Sequence, residues 1–243
     1  MRQFEERPDL RFDAPLYGLA EAAGYLDVAL STFTNWSKGY RRQRPDGTEI
    51  SAEPVVTLLA GQEHRQPSVP FVGLVEGLAV AALRRSGLPL QRVRAALGAL
   101  DKEIGVSHAL ASRRLYTDGA ELLYDFAEGS DDAAVTSAAR NLVVVRNGQR
   151  VFVDVVADYL RLIDYAGDGF AAVVHLPRYA YAEVVVDPTR SFGKPIFQRG
   201  GARVADVLER FWVGESLNEL TEEFGVPETE LEDAVRVASR RAA

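Results

Sequence analysis

The chain has 243 residues and a mass of 26.6 kDa, enough for two domains and for a core that needs no disulfide or metal staple. It carries 28 Lys and Arg against 35 Asp and Glu, a formal net charge of −7, which taken alone argues against a nucleic-acid binder. Cysteine is absent, so disulfides, thiolate nucleophiles, iron–sulfur clusters and Cys-ligated zinc are excluded.

Residues Met1 to Arg7 hold no apolar stretch, and the longest apolar run, Val72 to Leu83, is broken by Glu76. A soluble, cytoplasmic chain is expected. Leu19 to Leu26 and Val28 to Lys38 read as two short helices about a tight turn at Gly24 to Asp27, a helix-turn-helix. Gly39 to Gly47 follows, basic through Lys38, Arg41, Arg42 and Arg44, with a hairpin signal at Asp46-Gly47. Pro54 to Leu59 reads as the returning strand of that wing. Pro70 to Arg85 and Pro89 to Ile104 have apolar residues at helical spacing, separated by Gly87.

Further on, Leu115 to Tyr124 reads as a hairpin about Asp118-Gly119, and Leu142 to Gln149 as a strand turning at Asn147-Gly148. Between them, Glu128 to Asn141 reads as a linker. Val153 to Tyr165 is amphipathic and helical in pattern, while Ala171 to Leu176 and Tyr181 to Val186 read as strands. Val204 to Trp212 is a helix. Ser216-x-x-Glu219 is a capping box opening a second one that Gly225 ends, and Pro227 to Ser239 is a third. The fold class is therefore mainly α with small β elements (α+β). A winged helix-turn-helix lies at the N-terminus and a three-helix helix-turn-helix unit at the C-terminus.

Enzyme signatures are missing. The three histidines, His64, His108 and His175, stand at no metal-ligand spacing from one another. There is no G-x-S-x-G, Walker A or G-x-G-x-x-G pattern, and Gly167-Asp168-Gly169 reads as a turn. Asp131-Asp132 beside Glu128 could hold a cation, but such runs are more often solvated. No enzyme, cofactor or metal is expected. Catalysis would re-enter if folding set His108 or His175 against paired carboxylates.

Two segments resemble known families. Leu19-Ala20-Glu21-Ala22-Ala23 through Val28, Thr32, Phe33 and Trp36, with the basic wing and the helices of Phe71 to Leu100, resembles the N-terminus of MerR-type regulators. Asp187 to Ile196, Arg203-Val204, Gly214-Glu215-Ser216 and Leu220 to Val226 resemble a small helix-turn-helix domain of unknown function found in type II antitoxins. The domain's usual Gly-Thr-Arg is here Gly201-Ala202-Arg203. Together they resemble a long VapB-class antitoxin. That resemblance implies operator DNA and a PIN-domain ribonuclease toxin (VapC class) as partners and repression of its own operon. Three domains are expected, at 1–126, 127–186 (a mixed β/α middle segment) and 187–243.

On this reading Ser31, Thr32, Thr34 and Asn35 face base edges, where Asn can pair with adenine. Lys38, Arg41, Arg42 and Arg44 meet phosphates. Phe33 and Trp36 either stack on DNA or lock the core, the commoner use. A homodimer is expected, because one short helix reads too few bases. The C-terminal unit carries Glu228, Glu230, Glu232 and Asp233 on its last helix, which would repel phosphate, so a protein partner is expected there. Arg236, Arg240 and Arg241 are candidate toxin contacts, since PIN-domain sites are carboxylate-lined by resemblance and guanidinium matches carboxylate. The other reading open to the sequence is a MerR-like one-component regulator sensing a small molecule.

Overall fold

Glu21 opens the first helix from within it. Its carboxylate accepts from the Gly18 N–H at 3.3 Å and from the Tyr25 hydroxyl at 2.6 Å. Helix α1 (Leu19–Tyr25) gives way to Asp27, at φ 55°, before α2 (Leu30–Lys38) begins. The computed structural model describes residues 8–43, 47, 49–60, 66–87, 89–146 and 149–242. These form ten α-helices and small antiparallel sheets, a mainly helical α+β fold. The chain divides into two compact units, 1–171 and 172–243, so the expected middle segment 127–186 is shared between them.

In the first unit, β1 (Tyr40–Gln43) pairs antiparallel with β2 (Glu49–Ala52), Tyr40 opposite Ala52 and Gln43 opposite Glu49. The wing thus closes earlier than expected. Pro54 to Leu59 forms no strand, because its N–H groups go elsewhere. Pro54 has none, Val55 and Val56 donate to Trp36 O, Thr57 to Glu76, and Leu59 to Ser68 O.

α3 (Phe71–Arg85) is buried from Phe71 through Leu83, apolar almost all round as a central helix must be. Gly73 and Gly77 make that possible. A methyl at Gly73 would stand 2.4 Å from Thr57 O, and one at Gly77 would stand 2.7 Å from the Phe33 ring. α4 (Leu90–Ile104) buries Val93, Ala96, Leu97, Leu100 and Ile104, as its spacing predicts.

The expected hairpin at Leu115 to Tyr124 is instead α5 (Arg113–Glu128). Leu115, Gly119, Leu123 and Ala127 make a helical stripe, and Gly119 sits under the Phe152 ring, where a Cβ would come within 3.1 Å. Asp118 faces out and pairs with Arg114 one turn away, at 3.6 Å. The expected linker likewise contains α6 (Ala133–Leu142), capped by Asp132, whose Oδ1 accepts from Ala134 N at 2.8 Å and Val135 N at 3.3 Å. β3 (Val143–Arg146) and β4 (Gln149–Phe152) form the expected hairpin, with Asn147 and Gly148 outside the described residues. The helix predicted to Tyr165 stops early: α7 (Asp154–Leu160) is followed by β5 (Ile163–Tyr165).

β6 (Ala171–His175) leads into the second unit, where it pairs antiparallel with β7 (Val184–Val186), and β7 with β8 (Ile196–Phe197). Three helices follow, α8 (Val204–Trp212), α9 (Leu217–Phe224) and α10 (Glu228–Ala242), close to their predicted bounds. The Ser216–Glu219 capping box forms reciprocally, and Gly225 ends α9 at φ 65°.

Tyr181 to Glu183 lies outside β7 for a reason held in α10. Asp233 is 2% exposed, and its Oδ2 accepts from the N–H groups of Ala180, Tyr181 and Ala182 at 2.7, 2.8 and 3.1 Å. Glu230, also buried, accepts from Glu183 N at 3.2 Å. Two of the four carboxylates expected on an exposed acidic face are therefore inside. Only Glu228 and Glu232 of that set are exposed.

Candidate nucleic-acid interface

α2 is held by its inner face. Phe33 and Trp36 are buried and pack edge-on at 6.3 Å between centroids, so they belong to the core. Buried Ser37 returns its hydroxyl to Phe33 O at 2.9 Å. The outer face presents Leu30, Ser31 and Lys38 fully, with Thr32, Thr34 and Asn35 half-buried beside them. Thr34 donates its hydroxyl proton to Leu30 O at 2.8 Å, leaving its lone pairs to face outward as acceptors.

Lys38 ends α2, Gly39 makes the bend, and β1 begins. Gly39 has φ 67°, and a Cβ there would lie 2.2 Å from Ala52 O, so no other residue fits without moving the wing. Arg41 is exposed on β1, and Arg42 follows it in register with Ile50 of β2. Arg44 lies outside the described residues. Ser31, Thr32, Thr34, Asn35 and Lys38 thus share one helix, and Arg41 and Arg42 continue from its end.

The last carbonyls of α2 have partners from two directions. Trp36 O accepts from Val55 N and Val56 N, at 2.7 and 3.2 Å. Asn35 O accepts from Arg94 Nη2 at 3.1 Å, while Arg94 Nη1 donates to Glu53 O past the end of the wing. Arg94 is a clamp between α4, α2 and the wing. Its partners are main-chain carbonyls 41 and 59 residues away, a contact with no local sequence signal.

Behind this assembly lies a cavity of about 740 Å³, lined among others by Ser37, Val56, Arg94, Leu97 and His108. On its wall Glu76, 5% exposed, accepts from Thr57 N at 2.6 Å and faces His108 Nδ1 at 2.9 Å. This contact holds the His108 imidazole above its ordinary range, against the opposing effect of burial. No group of three or more metal-ligating His, Asp or Glu side chains occurs among the described residues.

The candidate toxin contacts sit in the second unit. Arg236 and Arg240 lie one turn apart on α10, and Arg241 follows them. Arg236 is half-exposed and stands 3.5 Å from Asp233 Oδ1, so it is partly engaged at home.

Helix, tight turn, outward-facing helix and basic hairpin define a helix-turn-helix protein of the DNA-binding class. Residues 15–97 match the family described as "Putative DNA-binding HTH domain". Over 232 residues the chain is 41% identical to "Putative antitoxin VapB45" of Mycobacterium tuberculosis, covering 95% of this chain and 97% of that protein. It is 28% identical over 230 residues to "Uncharacterized protein Rv2308" of the same organism, covering 92% and 90%. The crystal structure of Rv2018 from Mycobacterium tuberculosis superimposes with a TM-score of 0.81 at 41% identity, covering 93% of this chain and all of that one. The chain belongs to the VapB45 antitoxin family.

Proposed function

We propose that the protein is an antitoxin that binds operator DNA, represses its own operon and neutralises a PIN-domain ribonuclease toxin. The observation that carries the DNA half is α2, fixed from behind by Arg94 and by Val55 and Val56, with polar side chains outward and a basic wing beginning at its last residue. Ser31, Thr32, Thr34 and Asn35 read bases in the major groove, and Lys38, Arg41, Arg42 and Arg44 bind phosphate. The N-terminal unit works in the MerR manner, as a homodimer whose two recognition helices enter half-sites about one helical turn apart. Arg236, Arg240 and Arg241 reach the carboxylates of the toxin's site.

Binding to the promoter upstream of its own gene tests the first half. Footprinting is expected to show paired half-sites, and a single unpaired site would overturn the dimer. For the second half, replacing the three arginines by alanine is expected to abolish inhibition of the ribonuclease encoded beside it. Full inhibition by that variant would overturn their role.

The cavity favours a second reading, a one-component regulator that senses a small molecule. Gly98 lines it, and a Cβ there meets nothing within 4 Å, so Gly98→Phe sets a bulky side chain at the cavity's edge with its first atom in open space. Unchanged operator affinity and induction in that variant support the antitoxin reading, whereas constitutive repression or its loss supports the sensor.

A further inference from the structure

α8 buries Val204, Val207 and Leu208 on one stripe, so its opposite face belongs to solvent. The helix's C-terminal end, one turn beyond Leu208, exposes two apolar residues. Trp212 is 60% exposed and Val213 77% exposed, at the corner where α8 turns into α9. Large exposed apolar side chains grouped together mark contact surfaces, and tryptophan leads among residues that anchor protein interfaces.

The corner is rigid. Arg210 donates through Nε to Glu215 at 2.7 Å, pairs with Glu223 on α9, and stacks 5.2 Å from the Phe224 ring centroid. The Ser216 capping box fixes the start of α9 two residues beyond Gly214. Trp212 is thus held outward before any partner arrives, which spares the entropy of ordering it on binding.

Charge selects the occupant. Between Arg203 and Val226 there are six acidic residues and two arginines. Arg203 is paired with Asp206, and Arg210 with Glu215 and Glu223. Glu209, Glu219 and Glu222 have no cationic partner among the described residues. DNA is repelled by this field. A second copy meeting it about a twofold axis would set the same carboxylates against one another.

We propose that the α8–α9 corner docks a partner protein through Trp212 and Val213, into an apolar pocket rimmed by lysine and arginine. The proposal rests on the antitoxin reading and adds a surface to it, separate from the α10 arginines.

The test uses the full chain and the purified product of the gene adjacent to its own. Trp212→Ala is expected to weaken that complex at least tenfold while leaving operator binding unchanged. Trp212→Phe restores most of the affinity. Raising NaCl from about 0.1 to about 0.5 M weakens the wild-type complex. Trp212 lies on the surface, so its thermal unfolding should match wild type within a degree or two. If the neighbour binds wild type and Trp212→Ala equally, the docking surface is overturned and the antitoxin reading stands. If it binds neither, the antitoxin reading falls and this occupant with it. A variant that loses operator binding or changes its own oligomeric mass overturns the proposal in favour of DNA or a second copy.

Discussion

At the scale of single residues, what a side chain does depends on partners far along the chain. Glu76 reads in sequence as an interruption of an apolar run. It is the acceptor that ties Thr57 and His108 to the central helix. His108 reads as one of three scattered histidines, and its ring faces Glu76 from one side and the Phe12 ring, at 5.4 Å, from the other. The hydrogen bond to Glu76 raises its pKa, with Asp101 adding to that effect. A base whose folded pKa is raised stabilises fully below its unfolded value and loses that contribution as pH rises through the folded value. Stability of wild type relative to His108→Gln is therefore expected to be greatest near pH 6 and to shrink by about pH 9. Urea unfolding of both proteins across that range checks it. A difference that grows with pH would show that His108 is held neutral.

At the scale of elements, α1 to α4 and α8 to α10 were legible from apolar spacing and from the turn or capping residues that bound them. Two others differ from their sequence pattern, each for its own reason. Asp118-Gly119 has the chemistry of a turn, but its glycine answers to the Phe152 ring packed over α5. The Ala-rich stretch of α6 reads as a linker because most of what its helix buries is small, Val135, Ala138 and Ala139, with one large residue, Leu142, at its end. The wing's position was legible, its closing strand was not, because Val55, Val56 and Thr57 bond to α2 and α3. Gly39→Ala is expected to cost about 1–3 kcal/mol in backbone strain alone, since φ 67° with ψ −168° is essentially a glycine conformation, and the collision with Ala52 O adds displacement of the wing. Operator affinity should fall while helical content by circular dichroism stays constant. On α10, the sequence could not separate inward from outward acids. Asp233→Ala removes the buried carboxylate that accepts from three N–H groups, one buried and two part-buried, and should cost about 3 kcal/mol or more, against about 0.5 kcal/mol or less for exposed Glu232→Ala. Equal losses in urea unfolding would mean that the Ala180 to Ala182 amides find other partners.

At the scale of the whole molecule, the net charge of −7 does not sort by unit. Residues 1–171 hold 19 Lys and Arg against 23 Asp and Glu, and residues 172–243 hold 9 against 12, so both are acidic. Positive charge is concentrated only locally. Lys38, Arg41, Arg42 and Arg44 form a run of four cations with no acid inside it, beginning at the last residue of α2. Phosphate binding depends on charges within about a Debye length, roughly 8 Å at physiological salt, so this run should govern DNA affinity and the remainder should not. The two accounts separate by experiment. Lys38→Gln and Arg41→Gln should each reduce the slope of log affinity against log salt by about 1, and weaken specific and non-specific DNA alike. Glu209→Gln with Glu222→Gln removes two negative charges from the second unit and should leave that slope unchanged. If net charge governed, this pair would strengthen DNA binding about as much as the two cation losses weaken it, and that result would remove the wing from the interface. Asn35→Ala completes the set: a residue that reads a base lowers the ratio of specific to non-specific affinity and keeps the slope.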